Sequence, residues 1–233
     1  MTWYQSLGFS SNPFSIKPAA FHDELFGYEG TIDEINKKIA QGSVLLLTGE
    51  YGTGKTTVLK RIIYAFRGQK SVIYYSCNER ERSIDFDALL SGMTFFRRLF
   101  GIRKAGAILL LDEAQDMGRK DADQVADYFH KGFFRSVILV THRQADLVLT
   151  SALRELLKDS IFRLNKLDRR SAVALVRKRI GNLQFLPDDI IERVYALNSN
   201  PRQLLKNCEA VCRRAAEEGA DRVLVKHVKD VLD

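Results

Sequence analysis

The chain has 233 residues, of which 45% are hydrophobic and 28% are charged, an ordinary balance for a globular protein. Its 36 Lys and Arg residues exceed its 29 Asp and Glu residues, giving a formal charge of +7 that favours a polyanionic partner such as nucleic acid. Three cysteines exclude a disulfide scaffold, and no apolar run approaches the ~20 residues of a membrane-spanning helix. The start, MTWYQSLGFSSNPF, lacks a signal-peptide pattern, so we expect a soluble, cytoplasmic protein.

The N-terminal part of the sequence combines an irregular arm with a helix. Residues 1–24 are rich in aromatic side chains and contain Asn12-Pro13, which predicts an ordered arm without regular structure. A helix is predicted at about 30–41, because Thr31 and Glu34 have the spacing of a capping box.

Short apolar runs and helical patterns then alternate along the chain. Continuous apolar runs separated by helices are typical of a parallel sheet buried on both faces. Strands are predicted at 44–48, 71–76, 107–111, 136–141 and 160–164. The strands then stop, and helices are predicted at 168–180, 187–197, 201–218 and 224–232. The sequence thus predicts an α/β domain with a five-stranded parallel sheet over residues 25–167, followed by a small all-helical domain over 168–233.

The segment from Gly49 to Thr56 matches the phosphate-loop pattern GxxxxGK[ST] in full. It lies between a predicted strand and a predicted helix, where backbone N–H groups and a helix N-terminus can surround phosphates. Lys55 is expected to reach the β- and γ-phosphates of ATP, and the Thr56 hydroxyl is expected to bind Mg²⁺. The predicted nucleotide-binding residues here are Gly49, Glu50, Tyr51, Gly52, Thr53, Gly54, Lys55, Thr56 and Thr57.

Two carboxylates, Asp112 and Glu113, directly follow the apolar run at 107–111. At the carboxyl end of a buried strand, Asp112 is expected to hold the Mg²⁺ shell and Glu113 to orient and deprotonate the attacking water. A further strand, at 71–76, lies in sequence between the phosphate-loop strand and this one. That order, with Glu directly after Asp, resembles the ATPase branch of P-loop NTPases (ASCE) that contains the AAA+ proteins.

With these motifs in place, the chain resembles an AAA+ ATPase over nearly its whole length. The segment 25–29 is similar to the one that packs on adenine in this superfamily, which implies that Phe26 and Tyr28 contact the base. Tyr28 replaces the arginine that is usual in that motif. Asn200-Pro201-Arg202 opens a predicted helix and resembles the sensor 2 motif, which implies that Arg202 reaches the γ-phosphate.

Two catalytic positions of AAA+ proteins also have candidates in the chain. Thr141, at the end of a predicted strand, matches the polar sensor 1 position, with His142 as the alternative. The resemblance implies that Arg154 is an arginine finger that stabilises charge on the ATP of a neighbouring subunit, with Arg143 and Arg163 as alternatives. It therefore implies a homo-oligomer with ATP at the subunit interfaces.

Within the AAA+ proteins, the similar groups are the ExeA/TnsC/TniB-type ATPases and the origin-recognition and Cdc-type initiators. The residues that carry this resemblance are Leu7-Gly8-Phe9 with Asn12-Pro13-Phe14, Asp112-Glu113-Ala114-Gln115 and the helix from Asn200 to Leu205. The resemblance implies an ATP-driven oligomeric switch in replication initiation, loading or transposition-type regulation, assembling on double-stranded DNA or on an unknown protein partner. The alternatives are a DNA-independent remodeller of proteins and an ATP-binding scaffold with little turnover.

Clusters of basic residues are the candidate DNA contacts, and the alternative for each of them is a solvated helix face. They are Arg61, Arg67 and Lys70; Arg97 and Arg98; Arg103 and Lys104; Arg169 and Arg170; Arg177, Lys178 and Arg179; and Arg213 and Arg214. After the second strand, Arg80 and Arg82 alternate with glutamates, which weakens a phosphate-contacting role there. No recognition module is evident in the sequence, so we expect DNA binding without sequence specificity.

Overall fold

The computed structural model describes residues 2–16, 27–66, 72–79, 83–90 and 106–232. The strands are β1 (Val44–Gly49), β2 (Val72–Ser76), β3 (Ala107–Asp112), β4 (Phe134–Thr141) and β5 (Ile161–Leu164). The helices are α1 (Glu29–Gln41), α2 (Lys55–Ala65), α3 (Arg119–His130), α4 (Ser151–Leu156), α5 (Arg169–Ile180), α6 (Asp188–Leu197), α7 (Pro201–Glu217) and α8 (Val225–Leu232). None of the helices within these ranges has the length and apolar character to cross a membrane.

Contacts within the chain group its residues into two units. The sheet unit comprises Gly30–Tyr51 and Val58–Leu164. The helical unit comprises Met1–Glu29, Gly52–Thr57 and Asn165–Asp233. The domain boundaries at residues 24/25 and 167/168 stay a prediction.

The sheet unit contains five parallel strands in the order β2-β3-β4-β1-β5, which confirms the predicted sheet. β4 lies between β3 and β1, so that Val137 is opposite both Leu109 and Val44. Every residue of β1 and β3 is buried, as expected for continuous runs of Val, Ile and Leu in the centre of a parallel sheet. The edge strands β2 and β5 are only partly buried, so burial on both faces holds for the central strands alone.

Most predicted element boundaries are met within one residue, and the starts of α1 and β4 differ in ways that the structure explains. α1 already begins at Glu29, so Thr31 lies inside its first turn and the predicted capping box is wrong. Glu29 instead places a negative charge at the positive end of the helix dipole. β4 begins at Phe134 rather than at Ser136, because the buried Phe134 pairs with Ala107 of β3 across a register shift.

Side-chain caps start two helices of the helical unit. At α5, Asp168 accepts a hydrogen bond from the backbone N–H of Ser171 at 2.7 Å. At α7, Asn200 accepts one from the N–H of Gln203 at 3.1 Å, with Pro201 at the start of the helix. These caps satisfy backbone donors that the first turn leaves unpaired. The predicted C-terminal helices are confirmed, with small differences at their ends.

The N-terminal arm packs onto α5 within the helical unit. Nη1 of Arg179 donates to the carbonyl oxygens of Ser15 at 2.7 Å and Pro13 at 3.4 Å. The rings of Trp3 and Phe14 stack with their centroids 6.1 Å apart, and Phe14 is buried. Arg179 therefore anchors the arm instead of projecting as part of a solvated basic face. The predicted arm residues 17–24 lie outside the described residues.

The carboxylate of Glu218 joins the end of α7 to α8. It accepts a hydrogen bond from Nζ of Lys226 at 3.1 Å, and Nε2 of the buried His227 lies 3.1 Å from it. Because the N–H of Leu224 donates to Nδ1 of His227, the ring proton lies on Nε2, which donates to Glu218. The Lys226 hydrogen bond, and further contacts including the charge of Arg214, hold the pKa of Glu218 below its ordinary value of 4.5.

We expect Glu218→Gln to lower the thermal unfolding midpoint at neutral pH and to matter less in acid. A carboxyl group whose pKa is lowered in the folded state contributes stability above its unfolded pKa, and this contribution is lost as the pH falls through the folded value. Unfolding midpoints of both proteins at several pH values down to about pH 3 measure the difference. The exposed neighbour Glu217→Gln is the control, and a Glu218→Gln deficit independent of pH would contradict the prediction.

All three cysteines are buried and unbridged. The four-residue spacing of Cys208 and Cys212 predicts packing residues on one face of a helix, and both lie on the buried face of α7. Burial raises the pKa of the Cys212 thiol to about 12 and also raises that of Cys208.

We therefore expect the native protein to resist a disulfide reagent such as DTNB at mildly alkaline pH. The thiolate is the reactive form, and burial disfavours it while also blocking access. The absorbance of the released thiolate measures the reaction, and unfolding in denaturant should release all three thiols. Rapid reaction of the folded protein would contradict this prediction.

Candidate functional site

The predicted phosphate loop begins at the last residue of β1 and ends in the first turn of α2. Gly52 and Gly54 have φ values of +84° and +103°, a left-handed backbone that glycine adopts without steric cost. Lys55 is buried at 7% exposure, whereas the side chain of Thr56 is exposed. The loop therefore turns sharply and leads directly into a helix N-terminus, the arrangement that suits phosphate binding.

Within the helical unit, the start of α7 lies against this loop. A Cβ atom added to Gly52 would lie 2.5 Å from Oδ1 of Asn200 and 3.0 Å from Cβ of Arg202. A side chain at this position would therefore require Asn200 to move. Arg202, the predicted sensor 2 residue, therefore lies beside the phosphate loop.

The acidic pair lies at the carboxyl end of β3. Asp112 is 5% exposed, and its Oδ2 accepts a hydrogen bond from the hydroxyl of Tyr74 at 3.0 Å. Its Oδ1 accepts the backbone N–H of Glu113, also at 3.0 Å. Glu113 has φ 52° and ψ 44°, and within the described ranges it alone among residues other than glycine has a positive φ. This backbone costs about 1–2 kcal/mol, and such strain concentrates at functional sites.

The side chain of Glu113 is held through one oxygen. Nε2 of Gln115 donates to Oε2 at 2.6 Å, and Nε2 of His142 lies 3.3 Å from the same oxygen. Thr141 is fully buried at the end of β4, and its hydroxyl donates to the carbonyl oxygen of Arg143 at 3.3 Å. Of the two sensor 1 candidates, His142 is thus the one that lies beside the carboxylate of Glu113.

The segment predicted to pack on adenine is described from Gly27 onward. The hydroxyl of the buried Tyr28 donates to the carbonyl oxygen of Asn165 at 2.5 Å, and burial raises its pKa to about 12. Tyr28 thus anchors the residues before α1, and its contact with adenine stays a prediction. Phe26, the other predicted adenine contact, lies outside the described residues.

The three arginine-finger candidates differ in what surrounds them. Arg154 is exposed on α4, and its guanidinium has no hydrogen-bond or ion-pair partner among the described residues. Arg163 is exposed on the edge strand β5. Arg143 is paired with Asp146, with Nη2 3.0 Å from Oδ1, so its guanidinium is already engaged within the subunit.

Two residues to which sequence reasoning assigned no role contact the acidic pair. Gln115 stands only two positions after Glu113, so its contact could have been inferred from the Asp-Glu-Ala-Gln sequence. Tyr74 is 38 residues from Asp112 in sequence, and only the pairing of β2 with β3, in which Ser76 lies opposite Asp112, brings them together. No local pattern in the sequence indicates that contact.

Similarity to known proteins identifies the family of this chain. The AAA domain family matches residues 41–172, more than half of the chain. The chain belongs to the AAA domain family. The predicted AAA+ resemblance and fold class are thereby confirmed for this AAA domain protein.

Solved structures similar to this AAA domain protein share its fold at low sequence identity. Cdc6p from Pyrobaculum aerophilum superposes with a TM-score of 0.72 at 15% identity, over 94% of this chain and 70% of that one. The Orc1 protein of Aeropyrum pernix, in complex with DNA, superposes with a TM-score of 0.67 at 17% identity, over 91% of this chain and 66% of that one. For the Thermotoga maritima RuvB Holliday junction branch migration motor, the TM-score is 0.62 at 16% identity, over 89% and 69% of the two chains.

In sequence, the AAA domain protein is similar to the zinc import ATP-binding protein ZnuC of Pseudomonas putida. The two are 29% identical over 108 residues, which is 44% of this chain and 40% of ZnuC. The match thus spans less than half of either protein.

Proposed function

We propose that the chain is an ATPase that binds ATP and Mg²⁺ at its phosphate loop and uses Glu113 as the base for hydrolysis. The observation that supports this most strongly is the left-handed backbone that holds Glu113 at the carboxyl end of β3. β1 and β3 both pair in parallel with β4. The carboxyl ends of β1 and β3, which precede the phosphate loop and Glu113, therefore lie on the same side of the sheet. A carboxylate at the carboxyl ends of these strands is suited to accept a proton from water that attacks a phosphate.

In the proposed reaction, the backbone N–H groups of residues 49–57 and the ammonium of Lys55 bind the phosphates of ATP. Glu113 takes a proton from water while the water oxygen bonds to the γ-phosphorus, and the bond to the β–γ bridging oxygen breaks to release ADP and phosphate. On the AAA+ resemblance, the sensor 1 residue (Thr141, with His142 as the alternative) and Arg202 are expected to contact the γ-phosphate.

The proposed Mg²⁺ ligands suit that ion. The hydroxyl of Thr56 and the carboxylate of Asp112 are hard oxygen donors, and Mg²⁺ at phosphate sites is commonly held by one or two protein oxygens together with phosphate oxygens and water. No group of three or more His, Cys, Asp or Glu side chains in the described ranges could hold a metal ion by itself. When bound, Mg²⁺ would offset negative charge on the transferred phosphate.

The active form is proposed to be a homo-oligomer in which Arg154 acts on the ATP of the neighbouring subunit. Arg154 is exposed, and its guanidinium has no partner among the described residues. Both features support this role, because an arginine finger must extend from its own subunit into the ATP site of its neighbour. Mixing Arg154→Ala subunits with Glu113→Gln subunits tests it. Each variant alone is expected to be inactive, whereas the mixture should regain part of the turnover at interfaces that combine an intact Arg154 with an intact Glu113.

Double-stranded DNA is the proposed partner on which the oligomer assembles. The formal charge of +7 supports a polyanion, and the similar Orc1 structure is a complex with DNA. On α5, Arg169, Arg170 and Lys178 are exposed and available for phosphates. Arg177 instead donates to Asp188 at 2.6 Å. The basic residues Arg67, Lys70, Arg80, Arg82, Arg97, Arg98, Arg103 and Lys104 lie outside the described residues.

One experiment separates the functional alternatives. The protein is sized with a non-hydrolysable ATP analogue, with and without duplex DNA, and its Mg²⁺-dependent phosphate release is measured alongside. ATP-dependent assembly on DNA with turnover supports the proposal. Turnover without DNA binding at low salt favours a remodeller of proteins, and ATP binding without turnover favours a scaffold.

The proposed contribution of α5 to DNA binding can be tested with two matched double variants. Removing two phosphate contacts with Arg169→Ala plus Arg170→Ala is expected to reduce the slope of log affinity against log salt by about 2. The control is Arg213→Ala plus Arg214→Ala on α7, whose guanidiniums form ion pairs with Glu209 and Glu218. An equal change of slope in both double variants would contradict a specific role for α5.

A further inference from the structure

His142 contacts both motifs of the proposed site that belong to the sheet unit. Its carbonyl oxygen accepts the N–H of Gly49, the first residue of the phosphate loop, at 3.3 Å. Its ring centroid lies 6.1 Å from that of Tyr51, a loop residue that is 64% exposed. Its Nε2 lies 3.3 Å from Oε2 of Glu113. A single residue directly after β4 therefore links the start of the phosphate loop to the proposed base.

The carboxylate of Glu113 is anchored unequally. Gln115 and His142 both approach Oε2, at 2.6 and 3.3 Å. Across the part of the chain that the structure describes, no group donates to Oε1. The side chain as a whole is 26% exposed, so it lies partly at the surface.

We propose that His142 and Gln115 are positioning residues that hold Oε2 of Glu113, so that Oε1 accepts the proton of the attacking water. This inference rests on the proposed ATPase function. The terminal torsion of a glutamate is broad, so a carboxylate without these donors would sample many orientations. The hydrogen bond from Gln115 and the imidazole of His142 beside the same oxygen restrict that rotation. The strained backbone of Glu113 fixes the direction from which the side chain starts.

The test is steady-state ATP hydrolysis by the full chain and three variants. His142→Leu and Gln115→Leu each remove one polar contact to Oε2. We expect kcat to fall about tenfold in each, with KM for ATP within about twofold of the unaltered chain. His142→Gln keeps an N–H donor at this position and should retain most of the kcat. His130→Leu, at the exposed end of α3, is the matched histidine control and should leave kcat unchanged.

Three results would overturn the inference: an unchanged kcat in His142→Leu, a change confined to KM, or an equal loss in His142→Gln and His142→Leu. If thermal unfolding shows that His142→Leu does not fold, Gln115→Leu decides, and an unchanged kcat there also overturns it. Failure of the underlying ATPase proposal would give a different result from failure of the positioning proposal. It would appear as no Mg²⁺-dependent phosphate release by the unaltered chain, or as full activity in Glu113→Gln.

Discussion

Glu113→Gln is expected to abolish ATP turnover while leaving ATP binding intact. Removal of a general base typically lowers the rate by about 10²- to 10⁴-fold. The substitution keeps the size of the side chain, so the left-handed turn after β3 and the neighbouring Asp112 should be undisturbed. The amide oxygen can still accept from Gln115 and lie beside His142, which leaves an NH₂ group facing the water where a carboxylate oxygen is needed. That group donates hydrogen bonds and cannot take up a proton.

Phosphate release and equilibrium binding of a fluorescent ATP analogue together measure this prediction. The analogue should bind the variant as tightly as the unaltered chain, and ATP should persist in any oligomer that forms. Glu192→Gln, on the exposed side of α6, removes the same charge elsewhere and serves as the control. Turnover in Glu113→Gln at the rate of this control would remove Glu113 from its proposed role.

Gly52→Ala is expected to lose most of the ATP affinity and to destabilise the helical unit. The new Cβ would lie 2.5 Å from Oδ1 of Asn200, a distance that real Cβ atoms do not reach. The Asn200 side chain, the loop or the start of α7 must then move, which weakens the hydrogen bond by which Asn200 caps α7. The φ of +84° adds backbone strain of about 1–2 kcal/mol.

A second glycine separates the two causes. Gly132 also has a positive φ, of +73°, but a Cβ there would meet nothing within 4 Å. Gly132→Ala should therefore show the cost of backbone strain without the clash and should bind the ATP analogue normally. If titrations give both variants the same affinity, the contact between Gly52 and α7 has no role in ATP binding. Unfolding midpoints of the two variants measure the stability difference in the same preparations.

The central strands and the phosphate loop were predictable because their signals are local. A continuous apolar run such as 107–111 is typical of a strand buried on both faces of a parallel sheet, and it forms the fully buried β3. Loop glycines followed by Lys55 leave few alternatives to a tight turn into a helix, which the positive φ values at Gly52 and Gly54 bear out. Asn200-Pro201 likewise marks the start of α7, since a cap and a proline both act within one turn.

Other features depended on which neighbours were available. The prediction of a capping box at Thr31 was wrong because α1 begins at Glu29. The spacing of Thr31 and Glu34 alone does not show where the helix begins. In sequence, Arg177 and Arg179 belong to a basic helix face. In the fold, Arg177 donates to Asp188 and Arg179 donates to carbonyl oxygens of the N-terminal arm. A charge pattern records which residues are basic and not which of them find partners in the fold.

By itself, the sequence determined that this protein has a parallel sheet, a phosphate loop and an acidic pair at the end of a buried strand, because each is encoded within a few consecutive residues. Only the tertiary structure decided what surrounds that pair. Tyr74 reaches Asp112 through the pairing of β2 with β3, and His142 reaches Glu113 because β4 lies beside β3. Contacts between separate strands depend on strand order, and strand order is a property of the folded sheet that no local stretch of sequence specifies.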